Sequence, residues 1–178
     1  MAQQAIDIGT VANDRTGDTW RDAFDKTNDN FDEVYAALAV ADHSGLLSMA
    51  GNSTASTIAT INTPVLVAGT WVVGSTSLFT GTTAGRLTYT GTGGAVTINA
   101  VVDIEPASGT AKELTTYIAI NGTVVASSGR KVTADSGLAL NVALLWQVMM
   151  ATNDYVELYV ENNTDAIDAL VSGAVLVV

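Results

Sequence analysis

The 178-residue sequence contains no cysteine, two prolines and a single histidine. Without cysteine there are no disulfides and no thiolate metal sites, so the fold carries no redox dependence. Basic residues are scarce too: seven Lys and Arg stand against 18 Asp and Glu, a formal net charge of −11. That excess repels nucleic-acid phosphates, and the basic positions form no patch, so a nucleic-acid partner is excluded. No apolar run reaches the ~20 residues that span a bilayer. Met1-Ala-Gln-Gln-Ala-Ile-Asp also lacks the basic and apolar regions of a signal peptide. The chain therefore reads as soluble, made in the cytoplasm and without a membrane partner.

Apolar residues are plentiful. They make up 48% of the chain while only 14% is charged, far too apolar a balance for disorder. The length allows one ordinary domain, or a smaller one with an appendage. So much apolar surface on so small a body predicts a subunit interface, and hence an oligomer. The surplus negative charge would keep that assembly in solution.

Composition shifts near residue 43. Residues 1–42 hold nine of the 18 acids and three of the seven basic residues, whereas the remainder is rich in Thr, Gly, Val and Ala. The expected organisation is a loop and helix over 1–42, a linker of small and hydroxyl residues over 43–61, and a β domain over 62–178. In the first part, Ile8-Gly-Thr-Val-Ala-Asn-Asp-Arg-Thr-Gly is a loop punctuated by turn residues. Asp18 or Thr19 then caps a helix, with Asp22 adding favourable charge in its first turn. From Trp20 the stripe Trp20, Phe24, Thr27, Phe31, Val34, Leu38, Ala41 alternates intervals of four and three, the spacing of a coiled-coil seam. Two readings stay open: self-association, with a trimer giving the aromatics more room than a dimer, or an amphipathic helix packed on its own domain or a partner.

The second part reads as β. Val96, Ile98, Ala100, Val102 and Ile104 alternate with Ala95, Thr97, Asn99, Val101 and Asp103. Asn121-Gly122 between two alternating runs signals a hairpin with a type I′ turn. Further runs lie at Val65–Val73, Arg86–Thr90, Leu138–Trp146, Asp154–Glu161 and Ala169–Val178. About eight such strands predict an antiparallel sandwich. Tyr155 and Tyr159 should face outward beside Glu157, as an interface pair or as an ordinary cross-strand aromatic contact.

Catalytic chemistry finds little to use. His43 has no Gly-x-Ser-x-Gly elbow to serve and reads as a solvated residue. Asp25, Asp29 and Asp32 share a helix face but lack the glycine and terminal Glu of a calcium loop. Gly91-Thr-Gly-Gly has no Lys-Ser/Thr after it and reads as a turn. The expectation is a protein that is not an enzyme, with no metal and no cofactor.

Two stretches carry a resemblance. Ile8-Gly9, Asn13-Asp14, Thr16-Gly17-Asp18, Arg21-Asp-Ala-Phe24, Lys26, Asn28, Asn30-Phe31 and Glu33-Val34 resemble an N-terminal attachment motif of tailed-bacteriophage tail fibres, head fibres and related appendages. Val34 stands where Leu is more usual, and Trp20 is bulkier than the motif's residue. The second stretch, Tyr117–Ser128 with Asp154–Asn162 and the final apolar strand, is similar to the jelly roll of tumour-necrosis-factor and complement-like type that ends many such appendages. Asn153 replaces a glycine common there.

The resemblance implies a mainly β fold, a jelly-roll sandwich behind a loop and one α-helix, assembled as a homotrimer. It implies a virion location, with the major capsid protein or another virion protein as partner. Gly9, Asn13, Asp14, Thr16, Gly17, Asp18, Arg21 and Asn28 would make the virion contact. Trp20, Phe24, Phe31, Val34 and Leu38 would pack the helix, and Tyr155 and Tyr159 would face the threefold axis. The expected role is capsid decoration, as a cement or head-fibre protein. The alternative is a tail-fibre or receptor-binding protein that recognises a host surface glycan.

Overall fold

A computed structural model describes residues 4–8, 10, 15–40 and 43–178, with the backbone alone for 36–40. The chain divides into two compact units, Met1–Asp42 and His43–Val178.

The first unit is built on one helix, α1 (Trp20–Val40). Thr19 caps it: its carbonyl accepts from the Ala23 N–H (2.8 Å), its Oγ1 accepts from the Asp22 N–H (3.2 Å), and its hydroxyl donates to the Asp22 carboxylate (2.7 Å). Reciprocal bonding of this kind closes the open first turn. An extended segment, residues 4–8, runs beside the helix and is bonded to it.

The second unit contains β1 (Ser44–Ala50), β2 (Val65–Leu66), β3 (Val72–Ser77), β4 (Phe79–Gly81), β5 (Leu87–Tyr89), β6 (Gly94–Pro106), β7 (Lys112–Ile120), β8 (Thr123–Val124), β9 (Arg130–Ala134), β10 (Leu140–Met150), β11 (Tyr155–Asn162) and β12 (Ala169–Val177). Sheet 1 has the order β10-β6-β12-β1-β3. Sheet 2 has the order β4-β5-β11-β7-β8, with β2 added on β11 and β9 on β7. Every pairing is antiparallel. The eight principal strands follow jelly-roll order, β1, β6, β10 and β12 in one sheet and β5, β7, β9 and β11 in the other, with each step crossing between sheets except β7 to β9. Their inward side chains, among them Leu47, Ile98, Ile104, Leu114, Ile118, Leu158 and Leu176, fill the space between the sheets.

Strand β6 keeps the expected period: Val96, Ile98, Ala100, Val102 and Ile104 are buried, and Ala95, Thr97, Asn99 and Val101 are exposed. Asn121 and Gly122 adopt φ of +52° and +73° in a two-residue hairpin between β7 and β8, as a type I′ turn requires. Asn153 takes φ +72°, so asparagine, tolerant of left-handed backbone, does here what glycine would do.

Two expectations are corrected. Residues 43–61 are not a linker. Within them Ser44–Ala50 forms β1, the strand between β12 and β3, with Leu47 and Met49 buried. Leu46 on the opposite face, with serine, glycine and alanine at the remaining positions, hides a two-residue period that only Leu47 and Met49 mark. The run Val65–Val73 is likewise not one strand. It breaks at Gly69 (φ +143°), where a Cβ would fall 2.4 Å from the Met49 sulfur. Trp71 is fully buried just before β3, and Trp146 is half-buried within β10.

Candidate functional site

In the first unit a small polar lock joins the segment to the helix. Asn30 reads the backbone of Gln4 on both sides, its Oδ1 accepting from the Gln4 N–H (3.0 Å) and its Nδ2 donating to the Gln4 carbonyl (3.1 Å). The Gln4 side chain donates to Asp29 (2.9 Å). One turn earlier, Lys26 Nζ reaches both the Ala5 carbonyl (3.2 Å) and the Asp18 carboxylate (2.6 Å). Asp18 closes the ring: its Oδ2 accepts from the Asp7 N–H and its own N–H donates to the Asp7 carbonyl, each at 2.8 Å. The Lys26 ammonium, helped by the Asp7 N–H, holds the Asp18 carboxyl below the usual carboxylate range.

This lock leaves an aromatic stripe uncovered. Trp20 is 82% exposed and Phe31 56%, with Phe24, Val34 and Tyr35 also exposed on α1. Trp20 and Phe24 lie 6.0 Å apart by ring centroid, and Phe31 and Tyr35 6.5 Å. Ile6 of the extended segment borders the stripe, lining a groove of about 280 Å³ with Thr27, Asn30, Phe31 and Val34. The Thr27 hydroxyl donates back to the Ala23 carbonyl (2.8 Å).

Of the eight residues expected at a virion contact, Gly9, Asn13 and Asp14 lie outside the described residues. Arg21 and Asn28 are exposed on the helix, Thr16 is exposed in the loop, and Gly17 is half-buried. Asp18 is engaged within the unit. The Leu38 side chain lies outside the described residues. Sequence reasoning placed Lys26 and Asn30 in the motif without singling them out, and treated Asp29 as part of a bare acidic face. The signal missed is that a polar residue at each turn of one helix flank can bond a segment that has no secondary structure of its own.

In the second unit, Tyr155 and Tyr159 lie on β11, on the outer face of sheet 2. Tyr159 stands directly opposite Tyr117 of β7. The Arg86 guanidinium covers the Tyr155 ring at 3.8 Å and pairs with Glu157 at 2.9 Å, leaving Glu157 only 3% exposed. The Tyr117 hydroxyl donates to Glu161 (2.5 Å), which also accepts from the Asn163 amide (2.8 Å). Burial, reinforced by Glu161, pushes the Tyr117 hydroxyl up to about 12. Tyr155 therefore has a partner in the Arg86 guanidinium, and Tyr159 stands across the ladder from Tyr117.

The outer face of sheet 1 differs. Leu145 and Met149 on β10, Val101 on β6, and Val175 and Val177 on β12 are all exposed. Among the described residues no three His, Asp or Glu side chains converge as a metal site requires. No helix there is long and apolar enough to cross a membrane.

The family model described as bacteriophage T4 gp9/10-like protein, N-terminal, matches residues 3–165. The chain belongs to that family. Membership in this bacteriophage T4 gp9/10-like family agrees with the resemblance seen in the motif and strand pattern, and makes the chain a bacteriophage structural protein. No curated protein matches the sequence. Solved structures similar to this member of the family include murine APRIL at 9% identity, covering 76% of this chain and 98% of that one with a TM-score of 0.49. The PRD1 vertex protein P5 is similar at 13% identity, with 76% and 93% coverage and a TM-score of 0.47. Pika GITRL follows at 14% identity, 76% and 94% coverage and a TM-score of 0.40.

Proposed function

We propose that the chain is a homotrimeric decoration protein of a phage head, a cement or head-fibre component, docked on the virion by its first unit. The observation that carries this reading is the uncovered aromatic stripe of α1, held in place by the Asp18–Lys26–Asn30 lock. A monomer gains little by ordering a helix with its apolar side in water. The arrangement makes sense when a second surface covers it. The exposed Arg21 and Asn28 supply polar contacts at its flanks.

Trimerisation by the β unit would multiply a modest contact. Three hooks tied together bind as one body, because after the first docks the others act at high effective concentration. Placed where capsid subunits meet, such a clamp resists their separation under internal pressure.

Deleting residues 1–42 tests the attachment. The expected product is a folded β trimer that fails to join particles, and normal incorporation would refute the assignment. Light scattering should give about three times 18.3 kDa for the full chain. Mass spectrometry of DNA-filled heads separated from tails decides location, and recovery only with tails would make it a tail component. A glycan-binding role finds less support, since Arg86 already covers the Tyr155 ring that a sugar would stack on.

A further inference from the structure

We propose that Asn121 is a site of spontaneous deamidation whose rate the fold sets, through a clamp that Asp154 and the Tyr155 backbone place on its carboxamide. Asn121-Gly122 is the chain's only Asn-Gly step and lies exposed at the tip of the β7–β8 hairpin. The site belongs to the second unit and involves none of the docking residues of α1.

In the reaction the Gly122 nitrogen attacks the Asn121 Cγ. A new N–Cγ bond closes a succinimide, the Cγ–Nδ2 bond breaks, and ammonia departs with the Gly122 N–H proton. Water, the one co-reactant, then opens the ring at either carbonyl and gives aspartate or isoaspartate. Glycine in the second position favours the attack, because no Cβ shields the nitrogen or restrains its backbone.

The folded chain opposes that attack at three atoms. Asn121 Nδ2 donates to Asp154 Oδ1 (2.7 Å), its Oδ1 accepts from the Tyr155 N–H (3.0 Å), and its own N–H donates to the Tyr155 carbonyl (2.9 Å). Asp154 is fixed in turn. Its Oδ2 accepts from the Ala151 N–H (2.7 Å), and its own N–H donates to the Ala151 carbonyl (3.0 Å). The Asn121 amide and the Ala151 N–H hold the Asp154 carboxyl below the usual carboxylate range, so it stays ionised and accepting near neutral pH. To meet the Gly122 nitrogen, the carboxamide must leave these partners and swing back along its own chain. Asn121 therefore reacts from a locally open state, at a rate proportional to the population of that state.

Reclosing does not undo the change. The product sets a second carboxylate where Nδ2 faced Asp154, so like-charge repulsion replaces a hydrogen bond. Isoaspartate also adds a backbone carbon to the two-residue turn that places Ile120 opposite Thr123. The tie between the β7–β8 hairpin and the β10–β11 turn is then lost.

Peptide mapping of the full chain, aged in warm, mildly alkaline buffer with and without urea, reads the loss of the amide at Asn121. The folded chain should lose it at least about tenfold more slowly than the unfolded one, and the Tyr155 amide should show hydrogen-exchange protection of similar size. Asp154→Ala, shown to be folded by circular dichroism, should deamidate at Asn121 at least about threefold faster than the unaltered chain, the effect of losing a hydrogen bond to a charged group. Equal rates with and without urea would refute protection by the fold. A folded Asp154→Ala chain that is no faster than the unaltered one would refute the clamp. Should that variant not fold, the Tyr155 amide of the unaltered chain decides: free exchange there, while Asn121 stays slow, would refute the clamp equally.

Discussion

Asp18 shows how one side chain organises the first unit. Its carboxylate accepts from Lys26 and from the Asp7 N–H, and both bonds need it ionised. Its acidity is strengthened in the folded chain, so its contribution is present above the ordinary Asp range near 3.9 and is lost as pH falls through the lower folded value. Protection of the Asp7 amide, measured by NMR as exchange relative to its intrinsic rate at each pH, should therefore fall on acidification in the native chain. In Asp18→Asn that protection should be low and show no such transition. Tyr117 gives the opposite sign at the other end of the scale. Its hydroxyl titrates at about 12 rather than near 10, so the folded state holds the proton longer than the unfolded chain does. The stabilisation is complete below pH 10 and disappears between 10 and about 12. Ultraviolet titration should show a lagging tyrosine fraction that includes Tyr159, whose hydroxyl burial also pushes up, and Tyr117→Phe should shrink that fraction. That substitution should also cost about 1–2 kcal/mol, because Glu161 keeps only the Asn163 amide.

At the scale of elements, what was legible depended on whether a segment's period was written in large residues. Strand β6 alternates Val and Ile with Thr and Asn, and its burial follows that alternation residue by residue. Strand β1 has the same period, but only Leu47 and Met49 mark it, so the segment resembled a linker. The helix was legible from its stripe, and the cap resolved to Thr19. Asp18, the other capping candidate, is committed to Lys26 and Asp7. The extended partner of the helix was not legible, because residues 4–8 have no period and gain their order from Lys26 and Asn30 on another element. Thr19→Ala should cost the helix about 1 kcal/mol, the usual value of an N-cap. The check is faster hydrogen exchange in the first turn of α1 with no change in β11. In the β10–β11 turn, Asn153→Gly should be near neutral, whereas Asn153→Val should lower the melting temperature, since a β-branched residue is strained at φ +72°. Thermal scans of the two variants side by side distinguish backbone conformation from lost side-chain contacts.

For the whole molecule, composition pointed to association without indicating where it occurs. An apolar excess sums over all faces, and only the folded units show that it lies on the stripe of α1 and on the outer side of sheet 1 while sheet 2 carries the Arg86, Glu157, Glu161 and Tyr117 network. The outward tyrosines of β11 were the conspicuous candidates in sequence, and bulk alone did not reveal that Arg86 covers the Tyr155 ring. The distribution of charge also fixes how assembly responds to salt. Each copy contributes −11, and the adjacent strands β10, β6, β12 and β1 contain two acids and no basic residue, so copies that meet through this face gain no ion pair to offset the repulsion. Long-range repulsion decays over roughly 30 Å at 0.01 M salt and about 8 Å at 0.15 M. Association through an uncharged apolar face should thus tighten as salt rises over that interval, in contrast to an interface built on salt bridges. Sedimentation of one dilute sample across the series would show the trimer boundary growing at the expense of slower species. Dissociation with added salt would mean that charged groups, and not this uncharged apolar face, hold the copies together.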